Sequence, residues 1–387
     1  MWVTPEGVRD WGKHAHGSPL YAHLVEVIAA DSELMRVLNR IEHLPHVNLL
    51  LGGVHYLLMG GADSELAGWY GSLVDNPLPA AEIDPIFRRF VLEHEEQIVG
   101  LGNTRYTQTN ECRRCIALLP AVMTAPFERF HLIEIGASAG LNLGLDRYHY
   151  RFGDQEWGPE SPVLLEGETR GSEVPLHDVD VLSRTGLDLN PILSGDTDSQ
   201  QWLDALIWPE QDERRARLLQ ALELVSSLGL EMVAGDALDI LPGVLGQLPS
   251  GEPAIVMNAF TLGQLTLEAR DGVEEICDMA RAERPVYRVS MEILDRADEW
   301  AKVLVAGAGV PVPIGQAHPH GEWVEFGIRP DRRPGSRPRS SPRSRRSTGS
   351  GRPLRSRRAS ASSRSRHTEV TGGWRVCRSP RASARWP

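Results

Sequence analysis

Apolar residues recur at helical spacing through the first third of the chain. "SPLYAHLVEVIAADSELMRVL" opens on Ser18, whose hydroxyl can accept from the free N–H groups of a first turn, with Pro19 at the first helical position. "NLLLGGVHYLLMGG" and "IDPIFRRFVLEHEEQIVGLG" repeat the spacing and end on glycines, so residues 18–125 read as mostly helical. From about residue 128 the texture changes to short runs, "FHLIEIG", "VLSRTGLDLNP", "LEMVAGD", "PAIVMNA" and "PVYRVSMEI". Helical stretches such as "SQQWLDALIWPEQDERRARLLQALELVSSLG" and "LEARDGVEEICDMARA" lie between them. That alternation predicts an α/β fold: an all-helical N-terminal domain over 1–127, then a Rossmann-like, mostly parallel sheet with flanking helices over 128–327. One departure is "YHYRFGDQEWGPESPVLLEGETRG", whose polar–apolar alternation around Gly-Asp and Gly-Pro predicts an inserted hairpin at about 148–180.

After "HPHGEWVEFGI" the composition switches to Arg, Ser, Pro, Gly and Ala, and residues 331–387 hold no Lys, Asn, Gln, Ile, Phe, Tyr or Met. Such a segment cannot bury enough apolar area to fold. It reads as a disordered basic tail or, preferably, as a shifted reading frame in a GC-rich gene. The net charge of −11 therefore hides two regions. Residues 328–387 carry 18 arginines against two acids, which leaves 23 bases and 50 acids for residues 1–327. So acidic a body repels phosphate backbones, and nucleic acid is a poor expectation for its partner.

No stretch approaches the ~18 consecutive apolar residues of a spanning helix, and the start lacks a basic-then-apolar signal, so a cytoplasmic protein with no membrane partner is expected. Cys112 and Cys115 spell CxxC, but only Cys277 and Cys377 remain to complete a set, and no metal is expected.

The chemistry gathers around "HLIEIGASAGLNLGLDRY". At the C-terminal edge of a parallel strand, small residues let a ligand approach backbone N–H groups at the start of the next helix. Glu134 to Gly140 spells E-x-G-x-S-x-G. A dinucleotide fingerprint would need glycines at 136, 138 and 141, where the chain has Ser138 and Leu141, so a pyrophosphate and a nicotinamide oxidoreductase are disfavoured.

The spelling resembles the first motif of the class I S-adenosylmethionine-dependent methyltransferases, with Ser138 for the middle glycine. That resemblance implies that Glu134, Gly136, Ser138 and Gly140 hold the methionine end of S-adenosyl-L-methionine. Asp188, ending "RTGLDLNP", takes the place of the ribose-binding acid 48 residues after Gly140, against about 20 in the usual arrangement. Most of that excess is the predicted hairpin. Asp236 in "MVAGDALDIL" takes the place of the adenine-facing acid, and Asn258 in "AIVMNAFTLGQL" the place facing the transferred methyl. Residues 18–326 are moreover similar to the bacterial family known as domain of unknown function 2332, on the stretches "SPLYAHL", "LLLGGVHYLL", "QTNECRR", "LIEIGASAGLNLGLDRYHY", "GLDLNP", "ALIWPEQDERRARL", "PVYRVSMEI" and "HPHGEWVEF". That family supplies no substrate, and its members stop soon after the "HPHG" stretch.

"YTQTNECRR" puts Gln108, Asn110, Glu111 and Arg114 just before the sheet. Thr109 or Asn110 can cap a helix starting at Glu111, or these groups can close over a cofactor and orient an acceptor, and one residue can serve as both cap and site. His318 and His320 in "AHPHGEW" share one face of an extended segment, which suits a base, yet a hydrogen-bonded turn far from the strand ends is the preferred reading. "DERRARL" reads as a solvated helix face, and Trp202, Trp208 and Trp300 as core positions on helices. The leading expectation is a methyltransferase acting on a small-molecule acceptor near Asn258, Gln108 and Glu111. Its rival is a non-catalytic binding or regulatory protein that kept the fold.

Overall fold

The computed structural model describes residues 3–327 apart from 14–16, 63 and 296–297. The predicted tail, 328–387, lies outside the described residues.

The front of the chain is helical, with helices at Pro5–Gly12, Pro19–Ala30, Ser32–Leu38, His46–Met59, Asp84–Glu93, Glu95–Thr104 and Cys115–Val122. Ser18 caps as its position suggests, its Oγ accepting from Tyr21 N at 3.0 Å. The stretch read as one helix over "IDPIFRRFVLEHEEQIVGLG" breaks in two at His94. The front core is not confined to front residues. Trp202, from the helix Thr197–Ala205 beyond the first sheet strands, is buried in it and donates from Nε1 to Tyr106 O at 2.9 Å. The described residues accordingly fall in one compact unit.

Among the described residues eleven strands form one sheet: β1 (Arg129–Ile135), β2 (His149–Phe152), β3 (Gln155–Trp157), β4 (Leu164–Gly171), β5 (Asp180–Asp188), β6 (Glu231–Ala234), β7 (Ala254–Ala259), β8 (Val286–Glu292), β9 (Ala301–Ala306), β10 (Val312–Ala317) and β11 (Trp323–Phe326). Their order is β3-β2-β4-β11-β10-β9-β8-β7-β1-β5-β6, a mostly parallel sheet in a mixed α/β chain. From β1 the chain runs outward through β5 to β6, then returns to β7 on the other side of β1. The order of connection reverses between β1 and β7, and in open parallel sheets ligands bind outside the carboxyl ends at such a point. The predicted insertion is a β2–β3 hairpin, followed by β4, which returns parallel to β2 and joins β11.

Burial follows topology. β7 and β8 are buried at every position and β1 at all but the first, as expected where helices cover both faces, whereas the outer β4 alternates at its start. β8 nevertheless carries Arg288, Ser290 and Glu292 through this core. Arg288 donates to Glu274 Oε1 at 3.1 Å, to Asn258 Oδ1 at 2.8 Å and to the carbonyl of Val256. Among the described residues no helix is long and apolar enough to cross a membrane.

Replacing Arg288 by Met should cost about 3 kcal/mol, because it strands the Glu274 carboxylate and Asn258 Oδ1 in the interior. Urea unfolding checks this, and an unchanged midpoint would show that the guanidinium holds nothing.

Candidate functional site

β1 delivers Glu134 and Ile135 to the sheet edge, where the backbone turns through Gly136 (φ +74°), Ser138 (φ +51°) and Gly140 (φ +73°). A side chain at 136 would put its Cβ 2.0 Å from Thr261 Oγ1, so the corner of β1 lies directly against the chain leaving β7. A Cβ at 140 would meet Leu230 Cδ1 at 2.6 Å. Ser138 adopts the left-handed conformation without the freedom of glycine, at a cost of order 1 kcal/mol.

Three bonds hold it there. Its N–H donates to Asp188 Oδ2 at 2.8 Å, its Oγ accepts from Asn110 Nδ2 at 2.7 Å, and the next N–H, of Ala139, donates to Asn110 Oδ1 at 3.2 Å. Asp188 Oδ1 also accepts from Asn190 N at 2.8 Å.

The helix expected after the corner does not form. Leu141–Gly144 is a single 3-10 turn leading into β2. Two of its carbonyls are taken by side chains, Leu141 O by Tyr148 Oη and Leu143 O by Arg184, as is Leu145 O just beyond by Tyr150 Oη, while Asn142 O and Gly144 O accept from the backbone N–H groups of Leu145 and Arg147. The corner thus offers backbone N–H groups without the dipole of a long helix behind them.

Glu134 is buried beneath it. Oε1 accepts from Asn142 Nδ2 at 2.7 Å, while Oε2 is enclosed with no partner. Burial, only partly opposed by that bond and by Arg114, pushes its acid up to about 8. A cavity of about 370 Å³ opens beside the corner between Ala139, Ile192, Leu222, Leu230 and Met232, with Gln200 among its few polar walls.

"QTNECRR" lies over this edge. Gln108 Nε2 reaches Asn190 O at 3.3 Å and Asn110 clamps the corner. The expected helix start shifts, since Glu111 caps a 3-10 turn, Cys112–Arg114, and Asn110 caps nothing. Glu111 is buried and turns to Arg214 (3.1 Å) and Arg217 (3.2 Å). Burial raises its acid, but Arg217 and Arg214 outweigh that and hold it below the ordinary range. The solvated-face reading of "DERRARL" is therefore overturned. Arg214 and Arg217 turn inward because a buried carboxylate awaits them, and Arg215 pairs with buried Asp204. Trp208 and Trp300 are also corrected, since neither is on a helix: Trp208 lies in the loop between the helices Thr197–Ala205 and Asp212–Ser226, and Trp300 lies before β9 against Trp323.

The remaining predicted residues separate. Asn258 is fully buried, its Nδ2 donating to Ser290 Oγ and Glu292 Oε1 and its Oδ1 accepting from Arg288. Asp236 is exposed and caps the helix Ala237–Gln247 through Leu238 N at 2.9 Å. His318 and His320 do form the turn between β10 and β11, as preferred, but not far from the strand ends. β10 runs parallel to β8, and Arg114 Nε donates to Pro319 O at 3.1 Å. Cys112 and Cys115 are buried free thiols, and among the described residues no group of three or more His, Cys, Asp or Glu is placed to hold a metal.

A family model described as "Uncharacterized protein conserved in bacteria (DUF2332)" matches residues 6–326. The chain belongs to this family. No curated protein matches it. In this DUF2332 protein the residues that sequence reasoning missed are Glu292, Asn142, Arg214 and Arg217. The acid that ends "VYRVSME" was the available signal for the first, since a charge inside an apolar strand must be satisfied locally.

The Glu134 carboxyl sets a pH test. Its folded value lies above its ordinary 4.5, so its contribution to stability is full below 4.5 and is lost as pH rises through about 8. Glu134→Gln keeps a neutral side chain at every pH. Relative to wild type it should gain on the order of a few kcal/mol between pH 4.5 and 8.5 in urea unfolding. A difference that does not change with pH would show that Glu134 ionises freely.

Proposed function

We propose that this DUF2332 protein binds S-adenosylmethionine at the β1 corner and transfers its methyl group to a small-molecule acceptor. The observation that carries the reading is the 2.8 Å bond from Ser138 N to Asp188 Oδ2, which makes two motifs 50 positions apart in sequence into one site at the switch point between β1 and β7. Each Asp188 oxygen keeps a second lone pair for a ribose hydroxyl. The enclosed Glu134 Oε2 lacks a donor, and an α-ammonium group supplies one with a charge that would hold the carboxylate ionised. By resemblance, Gly136, Ser138 and Gly140 then line the methionine end and Asp236 faces the adenine with the oxygen not spent on its cap.

The sulfonium would supply an electrophilic methyl, so the protein's task is to place an acceptor in line and keep water out. Gln108 and Glu111 belong to the segment that closes over the corner. Asn258 has both amide hydrogens and its oxygen engaged, and in this reading it positions the strand end rather than touching the acceptor. That same saturation favours the rival reading, a binding protein that does no chemistry.

Calorimetric titration of the full chain with S-adenosylmethionine should show binding that Asp188→Ala and Asn110→Ala each weaken at least tenfold, about 1.4 kcal/mol. Gly136→Val should abolish it by colliding with Thr261. No binding by wild type sinks the reading, and binding without methyl transfer to any acceptor favours the rival.

A further inference from the structure

Beside the corner lies a set of cations that neither the cofactor reading nor the fold accounts for. Arg114 is only 8% exposed, yet among the described residues its one side-chain hydrogen bond is from Nε to Pro319 O. Its guanidinium lies over the Phe260 ring, 4.3 Å from the centroid, and Phe260 itself is held at φ +57° where the chain leaves β7. Stacking covers one face of the guanidinium and Pro319 takes the inner nitrogen, so both η-nitrogens keep their donors without an acceptor. A buried guanidinium normally has its fork filled by a carboxylate.

Its surroundings do not provide one. Glu111, one turn before Arg114, is already shared by Arg214 and Arg217. The Glu292 carboxylate is filled by Asn258 Nδ2 and the N–H groups of Thr261, Leu262 and Gly263. Three guanidinium charges thus meet two committed carboxylates, leaving one positive charge unanswered. Glu134 does not answer it near neutral pH, being held largely protonated by burial. His320, next to Pro319, is a further unfilled group: its Nδ1 is enclosed with no partner, and burial together with Arg214 and Arg114 keeps the ring neutral, down at about 4. Arg214 Nε is likewise enclosed and meets Glu111 as an ion pair without hydrogen-bond alignment.

We propose that Arg114, backed by Arg214 and His320, forms a carboxylate-binding site at the C-terminal edge of the sheet, and that the acceptor is a small monocarboxylate. A single planar anion matches both the free fork and the surplus of one charge. A phosphate dianion would overshoot that charge among buried acids. The acceptor clause rests on the methyl-transfer reading; the binding site does not. An anion seated over Phe260 lies where β7 ends, beside the corner that Thr261 packs against, so the acceptor's carboxylate and the cofactor would share the β1–β7 crevice.

The test is calorimetry of the full chain with benzoate and propionate against their neutral amides, benzamide and propionamide. Wild type should prefer each carboxylate at least tenfold, and Arg114→Gln should erase that preference while Arg113→Gln, at a half-buried position whose side chain bonds Glu166 O, keeps it. Arg114→Lys should recover only part, since it restores charge without the fork. Equal responses to acid and amide in wild type, or an unaltered preference in Arg114→Gln with circular dichroism showing an intact fold, overturn the site. Should Arg114→Gln fail to fold, Arg214→Gln takes its place with the same expectation.

The source of the anion is read with S-adenosylmethionine and 5′-methylthioadenosine, which lacks the amino-acid end. If Arg114→Gln weakens the first and spares the second, the carboxylate belongs to the cofactor and the acceptor assignment falls. If both bind as to wild type while benzoate is lost, the assignment stands. Carboxylate binding without any S-adenosylmethionine binding keeps the Arg114 site and removes the cofactor reading.

Discussion

The Glu292 carboxylate is the point on which this sheet edge depends. Buried at the end of β8, it accepts from Asn258 Nδ2, Thr261 N and Leu262 N through Oε1 and from Gly263 N through Oε2. A fully buried carboxylate is tolerated only when its lone pairs are filled, and here the donors that fill it are the backbone of the neighbouring strand's exit. The chain leaving β7 is thereby pinned to β8. Thr261 then stands where Gly136 must lack a side chain, and Phe260 stands where Arg114 can stack. Glycine corner and arginine are each placed by contact with a loop that one acid holds.

The same economy explains why an acidic protein carries a cationic centre. The parallel strands β1, β7 and β8 are covered on both faces, so their carboxyl ends and the segments crossing them are the places where buried polar groups can meet. Glu111 brings Arg214 and Arg217 inward, and they in turn leave Arg114 without a carboxylate of its own. Ion pairs of this kind contribute little net stability once desolvation is counted. If the proposed anion binds, their cost is the preorganisation of a fixed field for it.

How much of this could be read from residues alone varies with how local the cause is. Ser18-Pro19 names a helix start because capping acts over three residues, and the structure has that cap. The acid and glycines of the β1 corner are legible because the turn imposes them within seven positions. The missing helix after Gly140 is not, because Leu141–Gly144 has adequate helical spacing; Arg184, some forty residues on, takes Leu143 O, and Tyr148 and Tyr150 take Leu141 O and Leu145 O only because the chain turns into β2 there. "DERRARL" has the composition of a solvated face, and only the approach of Glu111, about a hundred residues earlier, reverses it. The His318–His320 turn is placed by the meander β8-β9-β10, since the direction of β10 decides which edge the turn occupies. That direction is a fact of pairing, invisible to spacing.

Ser138 gathers these strands of cause into one residue. A glycine there would accept φ +51° freely, whereas a serine must be compensated, and the compensation is Asn110, which bonds the serine hydroxyl with one end of its amide and the following N–H with the other. Asn110 sits four residues before Arg114 and two after Gln108, in the segment that crosses the sheet edge. The geometry of the corner is therefore set jointly by its own glycines and by a segment from the helical front. A ligand that displaced Asn110 would release the serine from its strained conformation, and one that kept it would find the corner already shaped. Either way the segment 106–114 helps fix the shape of the corner, and the serine is the residue that makes it so.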